Sequence, residues 1–145
     1  MIRKKNKGSR SWTRILAVQA IYQLSLNKDA KESKVIKDLI QNKESKSRAD
    51  EEFLSKLVKE TIKKKTKLVK EIIAASNKNK FDKMETLLKV ILKLGACEIF
   101  YFKNIPIKVS LSQYIKVGSS FLNDKEVGLI NGILDKISKN INNNG

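Results

Sequence analysis

Histidine is absent from this chain of 145 residues, and cysteine, proline and tryptophan occur once each. Without histidine there is no Ser–His or Cys–His nucleophilic pair, and most catalytic zinc sites are excluded. The lone Cys97 can form no internal disulfide, which fits a reducing, cytoplasmic setting. Its place inside an apolar run reads as a small buried hydrophobe rather than a reactive thiol. One proline and six glycines leave little turn material for a sandwich or barrel. Neither common glycine-rich phosphate loop occurs. The carboxylates mostly lie beside lysines at helical spacing, as ordinary surface pairs do. These absences predict no catalysis, no cofactor and no metal. No apolar N-terminal segment precedes a cleavage-like site, so no signal peptide is expected. No run reaches the roughly 20 apolar residues of a membrane span.

What is abundant is lysine. Lys and Arg number 31 against 15 Asp and Glu, a formal net charge of +16. Residues 1–80 carry 22 of those bases and 9 of the acids, so the surplus lies in the first half. Such asymmetry points to a polyanion, nucleic acid or an anionic surface. Lysines that merely solvate helix faces are the bland explanation, but they account poorly for the acid-free start, MIRKKNKGSRS.

The apolar pattern is helical throughout. Residues 87–102, LLKVILKLGACEIFYF, hold only Lys89, Lys93 and Glu98 as charges, and they predict a central helix packed on most sides. A basic arm, residues 1–11, is expected to be flexible. Ser9 or Ser11 can cap a helix to about Leu26, with Trp12, Ile15, Leu16, Val18, Ile21 and Tyr22 as its stripe and Arg14 pointing elsewhere. A short helix over 32–42 and a polar loop over 43–49 follow. A long helix from Asp50 to Ser76 is expected to bend or break near the lysines at 63–67. Residues 77–80 read as a linker, Asp82 as the cap of the central helix, and Pro106 as the start of the next. Asn123 and Glu126 form a capping-box pattern. The last helix runs on through Gly132, which is read as a point of close helix contact, and the asparagine tail should fray. The expected fold is all-α, two packed bundles of six to seven helices, divided into residues 12–80 and 81–145.

Three segments in register carry a family resemblance. Residues 14–22, RILAVQAIY, residues 105–109, IPIKV, and residues 129–136, LINGILDK, resemble motifs of the NusB family of transcription antitermination factors. The resemblance implies two helical bundles, no catalysis and RNA binding. It further implies pairing with the small-subunit ribosomal protein NusE on boxA RNA, within the elongating RNA polymerase complex, to suppress premature termination, notably on ribosomal RNA operons. By position, the family's arginine-rich motif falls on residues 10–14, where Arg10 and Arg14 remain; the upstream Arg3, Lys4, Lys5 and Lys7 can compensate. Tyr22 matches the tyrosine ending the first motif, as a stacking ring or as packing. An acid and a Phe common near the last helix are replaced by Lys125 and Leu129, and an acid of the preceding helix by Gln113. The expected RNA-binding set is therefore Arg3, Lys4, Lys5, Lys7, Arg10, Arg14, Tyr22, Lys125 and Leu129. A similar helical domain begins certain RNA cytosine methyltransferases; these 145 residues hold no cofactor-binding domain, so an enzyme of that kind is not expected. The reading from another class is a helical interaction scaffold, or a ribosome-assembly factor, with a basic face.

Overall fold

The computed structural model describes residues 9–42 and 49–144, with side chains as far as Ile141. Arg3, Lys4, Lys5, Lys7 and residues 43–48 of the loop expected over 43–49 lie outside the described residues. Among the described residues there are eight helices and no strand beyond an isolated bridge between Ser9 and Ala49. In chain order they are α1 (Arg10–Leu26), α2 (Glu32–Gln41), α3 (Glu51–Lys63), α4 (Lys65–Ala75), α5 (Lys78–Lys83), α6 (Thr86–Tyr101), α7 (Ile107–Phe121) and α8 (Asp124–Asn144). They group into two compact units, residues 1–60 and 61–145.

In the first unit, Ser9 caps α1 by accepting the Trp12 N–H at 3.1 Å. Placing the helix start at Arg10 makes the last residues of the expected arm helical. Leu16, Ala17, Val18, Ala20 and Ile21 are buried, and α1 packs on α2 through Val35 and Ile36. Phe53, Leu54, Leu57 and Val58 of α3 complete the apolar set of this unit. A fully buried Leu or Ile contributes roughly 1.5–3 kcal/mol.

The second unit is organised on α6, against which α4, α7 and α8 all pack. Ten of its residues, from Leu88 to Ile99, are buried, Cys97 among them. Residues 61–80, assigned on sequence to the first half, group here with the C-terminal helices, because α4 packs on α6 and α8. The expected break falls at Lys64, whose φ of −99° and ψ of 14° separate α3 from α4. The eighth helix is α5. Asn77 accepts the Lys80 N–H at 2.7 Å and caps it, so the supposed linker is a helix start. Asp82 lies within α5 and does not cap α6; Glu85 holds that N-cap position.

Two glycines let helices close up. A Cβ on Gly95 would stand 2.6 Å from Leu134 Cδ1 and 3.3 Å from Tyr114 Cγ, and one on Gly118 would stand 2.6 Å from Ile130 Cδ1. Gly132, expected in that role, has nothing within 4 Å of such a Cβ. The backbone of the tail is helical to Asn144.

The buried face of α7 is not the one its largest apolar residues mark out. Ser110, Tyr114, Val117 and Gly118 are buried, whereas Ile107, Leu111 and Ile115 are only half-buried. The cause is Glu98, fully buried on α6. It accepts the Ser110 hydroxyl at 2.9 Å and the Tyr114 hydroxyl at 2.6 Å. A buried carboxylate requires such donors, and they turn α7 so that a serine faces inward.

Candidate nucleic-acid interface

The start of α1 is tied to the start of α3. The Thr13 hydroxyl donates to the Ser9 carbonyl at 2.6 Å and accepts the Asp50 N–H at 2.8 Å. Asp50 in turn accepts the Phe53 N–H at 3.1 Å, which caps α3. The second Asp50 oxygen lies 3.7 Å from Arg10 Nε, on a side chain that stays 47% exposed. The Arg10 guanidinium stands 4.5 Å from the centre of the Phe53 ring, and the Arg14 guanidinium 5.3 Å from it.

These contacts separate the two arginines of the expected motif. Arg10 keeps half its side chain in solvent, where a phosphate can reach it. Arg14 is only 2% exposed, so it does not point away from the core as its position in the apolar pattern suggested. Its cation lies against an aromatic ring, a contact that strengthens when water is excluded. Arg14 is therefore part of the frame that holds Arg10. Tyr22 is exposed, and Leu26, one turn later, is more so. The Tyr22 ring thus lies beside the buried stripe of α1 and not within it.

Lys125 and Leu129 lie together in the second unit. They open onto a hollow of about 440 Å³ at the start of α8. Asn123 and Glu126 close the helix end as the capping box expected there: the Glu126 N–H donates to Asn123 Oδ1 at 2.8 Å, and the Asn123 N–H to Glu126 Oε1 at 3.4 Å. Lys80 and Lys83 of α5 line the same hollow, over a floor that includes Met84, Leu88 and Leu129. Three ammonium groups above an apolar floor suit a strand whose phosphates are charged and whose bases are not. Glu85 and Glu126 also line it and offset part of that positive charge. Sequence reasoning did not single out Lys80, in the expected linker, or Lys83, beside the expected cap Asp82; the signal was the Asn77 cap followed by Phe81.

Among the described residues, no group of three His, Cys, Asp or Glu is placed to hold a metal ion, and no helix is long and apolar enough to cross a membrane. A helical chain with basic surfaces of this kind falls in the class of all-α binding proteins. Residues 11–139 match the NusB family, and the chain belongs to it. The curated relatives it matches are named as transcription antitermination proteins. The transcription antitermination protein NusB of Rickettsia bellii is 34% identical over 147 residues, covering 90% of each chain. Its counterpart in Caulobacter vibrioides is 28% identical over 138 residues, covering 90% of this chain and 92% of its own. Among solved structures, T. maritima NusB superposes with a TM-score of 0.78 at 19% identity, covering 90% of this chain and 91% of that one. A structure of the antitermination factors NusB and NusE in complex with double-stranded RNA gives a TM-score of 0.76 at 18% identity, covering 90% and 96%.

Proposed function

We propose that this protein is a cytoplasmic transcription antitermination factor that binds boxA RNA together with NusE and joins the elongating RNA polymerase complex. Acting there, it suppresses premature termination, notably on ribosomal RNA operons. The observation that carries the reading is the family match over residues 11–139, in a fold shared with a NusB that has been seen with NusE and RNA. Its own chemistry supports a division of labour. Arg10 and the upstream Arg3, Lys4, Lys5 and Lys7 supply phosphate contacts, while Lys125 and Leu129, with Lys80 and Lys83, form a surface on which unstacked bases can lie. Tyr22 offers an exposed ring of the kind that stacks on a base.

A salt titration of boxA RNA and of a scrambled strand of equal length, each with and without NusE, tests this. About four phosphate contacts give a log–log slope of roughly −3 on single strands. The expected outcome is that NusE tightens boxA binding more than scrambled binding. Equal affinity for both RNAs at every salt concentration, with NusE present, would overturn the proposal in favour of a basic scaffold.

A further inference from the structure

A second basic surface lies on the packed pair α4 and α6, and at the Lys89 end it borders α5, whose Phe81 ring carries Lys89. Five lysines are spread along it: Lys64 and Lys65 at the break, Lys67 in the first turn of α4, and Lys89 and Lys93 on successive turns of α6. Aromatic rings fix three of their ammonium groups. Lys64 Nζ stands 5.2 Å from the Tyr101 ring centre, Lys67 Nζ 5.2 Å from that of Phe100, and Lys89 Nζ 4.7 Å from that of Phe81. Among the described residues, none of the five pairs with a carboxylate. Neither α4 nor α6 has an acid in its first turn, and Glu98, the one acid of α6, is turned into the core. No side chain caps α4, and its first turn carries bases where the helix dipole favours anions.

We infer that this α4–α6 face is a sequence-independent docking surface for the phosphate backbone of single-stranded RNA. It rests on the RNA-binding reading above and adds to it a surface built for charge rather than for base identity. Two features favour RNA over other polyanions. Half-exposed Phe100 and Tyr101 rings lie among the lysines, an arrangement that suits phosphates and bases in alternation. The charges are also crowded: Lys65 and Lys89 both act on Lys93. Lys93 is held below the ordinary lysine pKa by burial first, then by Lys65 and Lys89. A bound phosphate relieves that crowding.

The test is a variant carrying Lys65→Gln, Lys67→Gln and Lys89→Gln in the full chain, leaving the half-buried Lys93 in place. Lys108→Gln, Lys116→Gln and Lys136→Gln provide a control with equal loss of charge. Fluorescence anisotropy of boxA and of scrambled single-stranded RNA is followed across a salt series, with melting and helicity measured to establish that both variants are folded. Loss of three contacts should make the slope less steep by about 2. It should weaken both RNAs by the same factor and leave their ratio unchanged. An unchanged slope, a loss confined to boxA, or an equal change in the control overturns the inference. So does lysine-dependent binding to phosphatidylserine vesicles with no effect on RNA. If the triple variant behaves as wild type while boxA preference with NusE persists, only this inference fails. If the wild-type protein binds neither RNA, the proposed function fails with it.

Discussion

Arg14 in the first unit and Glu98 in the second are both enclosed, at 2% and 0% exposure, yet different chemistry holds them. Arg14 lies against the Phe53 ring, beside a hydroxyl and carboxylate relay that binds two helix starts. Glu98 receives two hydroxyl donors from one neighbouring helix, α7. The first arrangement organises a surface, because the half-exposed Arg10 stands over the same ring. The second organises a core, because it sets which face of α7 is inward. A charged residue in a helical pattern can thus be a binding group, a frame for one, or an internal strut, and its neighbours decide which.

The sharpest way to break this comparison is to remove the core strut. Glu98→Ala leaves the buried Ser110 and Tyr114 hydroxyls without their acceptor, at about 1–3 kcal/mol for each group left unsatisfied. Tyr114→Phe, which deletes one donor, should cost about 1.5–3 kcal/mol. Urea midpoints of the two variants check the order. A loss below 1 kcal/mol for Glu98→Ala would mean that the carboxylate is not a strut, on the scale of about 1–3 kcal/mol used here. For scale, Ile91→Ala, at 0% exposure in the same helix, should cost about 2–5 kcal/mol.

Next in size are the glycines. Gly95→Ala inserts a methyl group against Leu134 and Tyr114 and should cost about 1–3 kcal/mol. Gly132→Ala has open space around it and should stabilise α8 by about 0.5–1 kcal/mol. Thermal melts of the pair should therefore move in opposite directions, and movement in the same direction would contradict the packing described.

The arginines then divide by readout. Arg14→Ala should lower stability by about 1–3 kcal/mol, as loss of a buried cation's packing does. Arg10→Ala should leave the melt within about 0.5 kcal/mol, as exposed positions do, and weaken RNA binding instead. Measuring both variants for both properties tests the separation; RNA binding lost by Arg14→Ala at full stability would return Arg14 to the contact surface.

The smallest effect concerns pH. The folded-state pKa of Lys93 lies below its ordinary value of 10.5, so the unfolded chain binds more protons at this site and stability rises with pH across that interval. The penalty from Lys93 is complete below its lowered pKa and is relieved as pH climbs through that pKa toward 10.5. Lys93→Gln should therefore stabilise the protein at neutral pH, with the advantage fading in alkaline solution. Denaturation at a series of pH values reads this directly.

Much of the fold was legible from apolar spacing. The all-helical class, the buried run at Leu88–Ile99, the break near Lys64 and the Asn123–Glu126 box all follow from local rules. What escaped was set by tertiary partners. Ser110 reads as polar and faces inward because Glu98 lies opposite it. Arg14 reads as a surface base and is buried because Phe53, 39 positions away in the chain, covers it. Lys80 and Lys83 reach the hollow only because α5 forms, and a six-residue helix capped by Asn77 is too short to announce itself by periodicity. Of the expected RNA-binding set, Lys125 and Leu129 share a hollow, Arg10 and Tyr22 are accessible, and Arg14 is enclosed.

The Thr13 hydroxyl joins the first turn of α1 to the first turn of α3 through a single oxygen, donating to Ser9 and accepting from Asp50. Neither turn can open alone without breaking a bond of the other. Amide hydrogens of Trp12, Thr13, Asp50 and Phe53 should consequently exchange with solvent as one cooperative group, at a common opening free energy. A ligand that engages Arg10 would slow exchange at Phe53, and protection there would report occupancy at a helix start that the ligand itself never touches.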